Sequence, residues 1–173
     1  MNLIDIKKGL PGIAPAIGAY FYAAIVVTMH RLNHAEHLTM PLNGDNPKIL
    51  DINWQDTFND QLDRSFKEDS SMIDAAASGF SCLLAIEETN YTIVERGYKG
   101  SGFDYYLGYD NEPLFTKAAR LEISGIKQEN EGNTIEKRLR IKLKQTDQSD
   151  QEKLPAYVSI IEFSKPKAVF KKK

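Results

Sequence analysis

The sequence predicts a single α/β domain of the α+β kind, in which several consecutive strands form a sheet between helices. Three observations carry this. The chain has 173 residues, enough for one domain to bury a core without disulfides. Between Tyr91 and Ile126 the runs YTIVERG, GFDYYLGY and KAARLEISGI alternate apolar with polar side chains, as half-buried strands do. Stretches of helical periodicity lie on both sides of them.

The elements follow in order. Pro15 suits the first turn of a helix, and the run from Ala16 to about His34 has the apolar density of a largely buried one. Within it, Ile13 to Met29 is 17 residues long, contains Pro15 and Gly18, and runs directly into MHRLNHAEH. A buried helix accounts for it better than a signal peptide or a membrane span. HLTMPLNG and PKILDINW flank Asn43-Gly44-Asp45-Asn46-Pro47, whose turn residues predict a hairpin. Phe58, Leu62 and Phe66, at i, i+4 and i+8, form one stripe of a short amphipathic helix. Ser70 and Ser71 are candidate caps for a second long helix, Met72 to Glu88, where AAASGFSCLLAI permits close packing on a sheet.

The three strand runs are joined by YKGSG and YDNEP, and QENEGN is a turn. TIEKRLRIKLKQTDQ reads as a charged helix with Ile135, Leu139 and Leu143 inward, although IKLKQ also alternates like a strand. Pro155 opens AYVSIIEFS, the most apolar strand of the chain, and AVF adds a short edge strand. The expected architecture is a mixed, twisted sheet of about four to five strands flanked by the second and third helices. Residues 1–69, with the first helix and the hairpin, pack on it as an added layer; residues 70–164 form the core and 165–173 a basic tail. Val158, Ile160, Leu121, Ile123, Leu83 and Ile86 are expected to be buried.

Charge excludes little. The 22 basic and 24 acidic side chains nearly cancel, so the molecule as a whole does not attract nucleic acid or anionic membrane. Their distribution is uneven: Met1 to Ala75 carries 6 Lys or Arg against 10 Asp or Glu, and Thr134 to Lys173 carries 11 against 5. A basic C-terminal third suits a phosphate backbone, and a solvated face with a frayed Lys171-Lys172-Lys173 end explains it equally well. The single cysteine, Cys82, lies in an apolar stretch without a partner in the chain, which favours a buried thiol and a reducing, cytoplasmic location.

On the third strand run Leu121 and Ile123 point to one face, while Arg120, Glu122 and Ser124 share the other. Together with Asp104 in GFDYYLG on the neighbouring strand, Glu122 provides hard oxygen ligands of the kind Mg²⁺ takes. From Ser70 to Ser164 the order is helix, three strands, helix, strand. This αβββαβ order, with Asp104 and the Glu122-Ile123-Ser124 triplet, resembles the restriction-endonuclease-like, or PD-(D/E)XK, superfamily. The resemblance implies that Asp74, Asp104 and Glu122 bind Mg²⁺ or Mn²⁺. It further implies a metal-dependent nuclease of a bacterial defence or DNA-processing system, acting on DNA or RNA.

Ser124 stands where the superfamily places its lysine, and a hydroxyl supplies no positive charge beside the scissile phosphate. Some members carry that basic group on another element, which makes Lys142 or Lys144 on the next helix, Arg120 or Lys99 the candidates to supply it, with Lys142 taken as the catalytic one. A catalytically degenerate relative is the alternative, a non-enzymatic module that binds nucleic acid or assembles with a partner protein or a second copy. ERGYKGSGFDYYLG followed by KAARLEISGI is also similar to a family of small bacterial proteins, which supports the segmentation and brings no activity with it. Without a ligand, Glu122 would pair with Arg120 or Arg96.

Three further patterns have simpler readings beside the functional one. His30, His34 and His37 share one face if the helix continues and would suit zinc, but histidines also cap helix C-termini. Tyr98, Phe103, Tyr105, Tyr106 and Tyr109, near Lys99, would stack nucleobases or fill a sheet face. KGSG would cradle phosphate or simply turn a hairpin.

Overall fold

In the computed structural model, which describes residues 1–110 and 115–173, helix α1 (Pro15–Arg31) begins at the proline whose fixed φ suits that position. The hairpin strands β1 (His37–Gly44) and β2 (Lys48–Asn53) follow, then the short helix α2 (Asp60–Ser65). Helix α3 (Asp69–Glu88) leads into β3 (Thr92–Arg96), β4 (Tyr105–Tyr109) and β5 (Thr116–Ile126). Residues 111–113 of the YDNEP connection lie outside the described residues. Helix α4 (Ile135–Gln145) and a 3-10 segment (Thr146–Glu152) precede β6 (Ala156–Glu162) and β7 (Lys167–Lys172). Among the described residues no helix is long and apolar enough to cross a membrane.

The strands form one sheet of seven in the order β2-β1-β7-β6-β5-β4-β3. β5 pairs in parallel with β6, and β1 with β7; the other pairs are antiparallel. Helices α1 and α3 cover one face and α4 part of the other. The sheet is thus wider than the four or five strands expected, and the hairpin extends it instead of forming a separate layer. Leu42 to Gly44 pair with Ala168 to Phe170, while Met40, Leu42, Leu50 and Ile52 alternate onto the α1 side. A detached hairpin would leave two more edges of unpaired backbone groups.

AVF is interior for the same reason. Its backbone groups are shared between β6 and β1, with Ala168 and Phe170 buried on one face and Val169 on the other. A short all-apolar run is the pattern of a strand covered on both sides. The C-terminus is not frayed either: Lys171 Nζ reaches Asp45 at 2.7 Å, and Lys173 Nζ reaches Asp147 and Asp150.

Helix α3 starts earlier than Ser70 and Ser71 suggest, because Glu68 is the cap, its carboxylate accepting from both their backbone N–H groups. That bonding holds the Glu68 carboxyl down at about 2. The inward stripe of α3 runs through Ile73, Ala77, Phe80 and Leu84, which leaves Leu83 half-buried and turns Ile86 to solvent. Leu121, Ile123, Val158 and Ile160 are buried as expected. Gly125 on β5 brings α3 very close, since a methyl there would lie 2.8 Å from the Ile73 carbonyl oxygen. On the opposite face Ile135, with Leu139 and Leu143, seats α4 on Val158, Ile160 and Val169.

The outer strands are guarded by the N-terminal segment. Asn53 N–H donates to the Met1 carbonyl at 3.0 Å on the β2 edge, and Gly12 N–H to that of Ile93 at 2.8 Å on the β3 edge. Arg120, only 3 % exposed, fastens the 3-10 segment after α4 to β5. Its guanidinium donates to Ser149 Oγ at 2.6 Å, to the carbonyls of Thr146 and Leu154, and to Asp150. Arg120→Ala would strand these acceptors, and we expect a loss of about 3 kcal/mol in urea-denaturation stability. A loss under about 1 kcal/mol, the range of an ordinary surface substitution, would contradict this anchoring role.

Candidate functional site

The antiparallel register of β4 and β5 opposes Tyr105 to Leu121 and Tyr106 to Arg120. The paired register ends at Tyr105; Asp104, just before it, donates its N–H to the Leu121 carbonyl at 2.8 Å, and its own carbonyl accepts the Gly97 N–H at 2.7 Å. Its side chain reaches the Glu122 carboxyl. Asp104 Oδ2 then accepts the Ile123 N–H at 2.8 Å, which fixes the carboxylate over β5. Both faces of β5 are covered, so Glu122 is 2 % exposed.

Helix α4 supplies the counter-charge. Ile135, Leu139 and Lys142 fall at i, i+4 and i+7, so Lys142 continues the stripe that faces the sheet, and Lys144 lies outside it. Lys142 Nζ donates to Glu122 Oε1 at 2.5 Å and to Gln145 Oε1 at 3.1 Å. Gln145 Nε2 donates to the same Glu122 oxygen at 2.9 Å. No N–H of the described residues donates to Glu122 Oε2 or Asp104 Oδ1, and the two carboxyls hydrogen-bond to each other.

Burial pushes Glu122 up to about 7, and the Asp104 charge adds to the shift against the opposing pull of Lys142. Asp104 is raised as well, again by burial first, with Ile123 N–H, Lys142 and Arg96 acting the other way. Two carboxyls so placed favour one shared negative charge over two near neutral pH. An unfolded glutamate loses its proton near 4.5, so the folded chain binds more protons between about 4.5 and 7, and its stability falls as pH rises through that window.

The pair lies between two cavities. One, of about 420 Å³, is bordered by Arg96, Tyr98, Lys99, Asp104, Glu122 and Gln148. The other, of about 310 Å³, is bordered by Asp74, Ser78, Arg96, Asp104, Arg138 and Lys142. Asp104 and Arg96 therefore stand on the partition.

The structure brings Asp104, Glu122 and Lys142 together. It leaves Asp74 apart on α3 at the edge of the second cavity, where partial desolvation of its carboxyl raises its pKa and Lys142 and Arg138 oppose the rise. Among the described residues no three His, Cys, Asp or Glu side chains cluster for a metal. Glu122 takes Lys142 as its partner in place of Arg120 or Arg96, because Arg120 is committed to the 3-10 segment. Gln145 escaped the sequence reading, although its position three residues after Lys142 places it on the same helix face.

The histidines do not converge. Helix α1 ends at Arg31, His30 meets Asp56, His34 bonds the Phe163 carbonyl, and His37 meets Asn53. The aromatic set divides too, with Phe103, Tyr105 and Tyr106 buried and Tyr98 exposed. KGSG turns the β3–β4 hairpin, with Gly100 at φ +90° and Gly102 at φ +80°. Gly102 also lets the loop meet the end of α4, for a methyl there would lie 2.3 Å from the Gln145 carbonyl oxygen.

Two neighbouring carboxyls, each with an oxygen that accepts no N–H, are a donor set that a hard divalent cation completed by water can take once the shared proton has left. In a carbon-13 carboxyl titration, Glu122 should titrate near 7, move down in Asp104→Asn and move up in Lys142→Met. An ordinary carboxylate midpoint in the wild type would contradict the electrostatics described.

Comparisons with protein-family models, with curated proteins and with solved structures gave no match.

Proposed function

We propose that the chain is a restriction-endonuclease-like, metal-dependent phosphodiesterase acting on DNA or RNA, with Asp104 and Glu122 holding Mg²⁺ or Mn²⁺ and Lys142 as the basic catalytic group. The observation that carries this is the meeting of the two carboxyls at the cleft floor with the Lys142 ammonium on Glu122. The order from α3 to β6, helix, three strands, helix, strand, supports the superfamily reading. A bound cation would polarise the phosphoryl oxygen and make an attacking water more acidic.

The chain's own residues then have separate tasks. Asp104, held by Ile123 N–H, and Glu122, held by Gln145, present oxygens in a fixed place. Lys142 supplies from α4 the positive charge that Ser124 cannot, stabilising negative charge that builds on the phosphoryl group. Arg96, Lys99 and Arg138 at the cavity walls attract the phosphates on either side. As the water oxygen bonds to phosphorus, the bond to the leaving sugar oxygen breaks. The water's proton goes to solvent, and the leaving oxygen takes one up.

A degenerate, binding-only relative is the second reading. It is favoured by Ser124 at the motif position and by the lack, among the described residues, of a third His, Cys, Asp or Glu clustered with the pair. Calorimetric titration of Mn²⁺, with parallel cleavage assays on DNA and RNA, separates the two. We expect Glu122→Ala to abolish both metal binding and cleavage, and Lys142→Met to keep metal binding while cleavage falls at least about 100-fold. Metal binding without cleavage would select the degenerate reading. No metal binding at millimolar concentration would end the phosphodiesterase reading.

A further inference from the structure

We infer that the β3–β4 loop carries a subsite for an unpaired nucleobase: Tyr98 stacks on the base, and Gln148 meets its edge from the opposite wall. Arg96 and Lys99 hold the flanking phosphates, so the cleft takes single-stranded nucleic acid in preference to duplex. The inference rests on the phosphodiesterase reading of the same cleft and names its substrate class.

Tyr98 is 60 % exposed, whereas its neighbours Phe103 and Tyr106 are buried against each other in a T-shaped pair. Its ring borders the cavity that has Asp104 and Glu122 at the floor, and it stacks on no other aromatic side chain among the described residues. An aromatic face left to solvent at the mouth of a polar cleft is what base stacking uses, and it tolerates any base because every base has a π-face.

The polar groups around it match the rest of a nucleotide. Several basic side chains near the cleft are matched to a carboxylate, as Lys117 is to Glu95 and Lys142 to Glu122. Arg96 and Lys99 form no ion pair within 4.0 Å among the described residues, although Arg96 lies near enough to Asp104 to influence it. Gln148, on the 3-10 segment opposite the loop, is exposed, and its amide bonds no described group. Amides read base edges by paired donor and acceptor. A base inside a duplex has both faces covered by its neighbours, so Tyr98 can stack only on one that is unpaired.

Fluorescence anisotropy in EDTA, where no cleavage occurs, tests this with an oligothymidylate of about twelve nucleotides, a size within the span of single-strand sites. A blunt duplex of the same length runs beside it. Tyr98→Ala should weaken single-strand binding about tenfold, Tyr98→Phe should bind as the wild type does, and duplex binding should not change with either. Circular dichroism of Tyr98→Ala controls for folding.

Equal single-strand affinity in wild type and Tyr98→Ala would overturn the subsite. So would tighter wild-type binding to duplex, or no binding to either; in those cases the exposed ring is better explained by a protein contact. Mn²⁺ calorimetry on the same proteins, freed of EDTA, keeps the two proposals apart. Metal binding with Tyr98-independent affinity retires the subsite alone, whereas Tyr98-dependent single-strand binding in a chain that takes no metal supports the subsite and retires hydrolysis.

Discussion

A carboxylate on a central strand, covered from both sides and in contact with a second carboxylate, is costly to keep charged, and Glu122 is in that position. Its partner comes from across the layer, where Lys142 and Gln145 on α4 converge on one of its oxygens. That contact joins the helix to the sheet where the neighbouring contacts are apolar, and it holds the cleft floor in register with the helix. Removing the ammonium would leave the charge buried and unpaired, the arrangement that costs most.

The surrounding architecture keeps this pair in place. The parallel pairing of β5 with β6 requires a crossover, and α4 is that crossover. The connection returning from α4 is the 3-10 segment that Arg120 fastens to the same strand as Glu122, two residues before it. The C-terminal half of the crossover is therefore tied to β5 twice, by Lys142 in the last turn of the helix and by Arg120 after it. β7 and the hairpin broaden the sheet on the far side without touching the site, and the N-terminal segment closes both outer strands.

Much of this was legible in the sequence because each element declares itself locally. The alternation of YTIVERG, GFDYYLGY and KAARLEISGI, and the i, i+4 stripes of α4, need no tertiary information. The meeting of Asp104 and Glu122 was legible to the extent that a hairpin register follows from the alternation on each side of its turn. Pairings between distant segments were not legible, since nothing local in HLTMPLNG or AVF says that β1 and β7 will lie side by side. The inward stripe of α3 was misjudged at Leu83 and Ile86 because small residues such as Ala76, Ala77 and Gly79 allow an apolar helix more than one facing direction. Lys142 could be shortlisted with three other basic residues, and its periodic relation to Ile135 and Leu139 would have separated it from Lys144.

The central proposal is that the Asp104–Glu122 pair is a cation site with Lys142 beside it as the basic group. A crystal structure determined with Mn²⁺ present, with anomalous diffraction recorded at the manganese edge, tests it most directly. The account predicts an anomalous peak within about 2.3 Å of an oxygen of each carboxylate, with the Lys142 ammonium beside it. No manganese between the two carboxylates would contradict it.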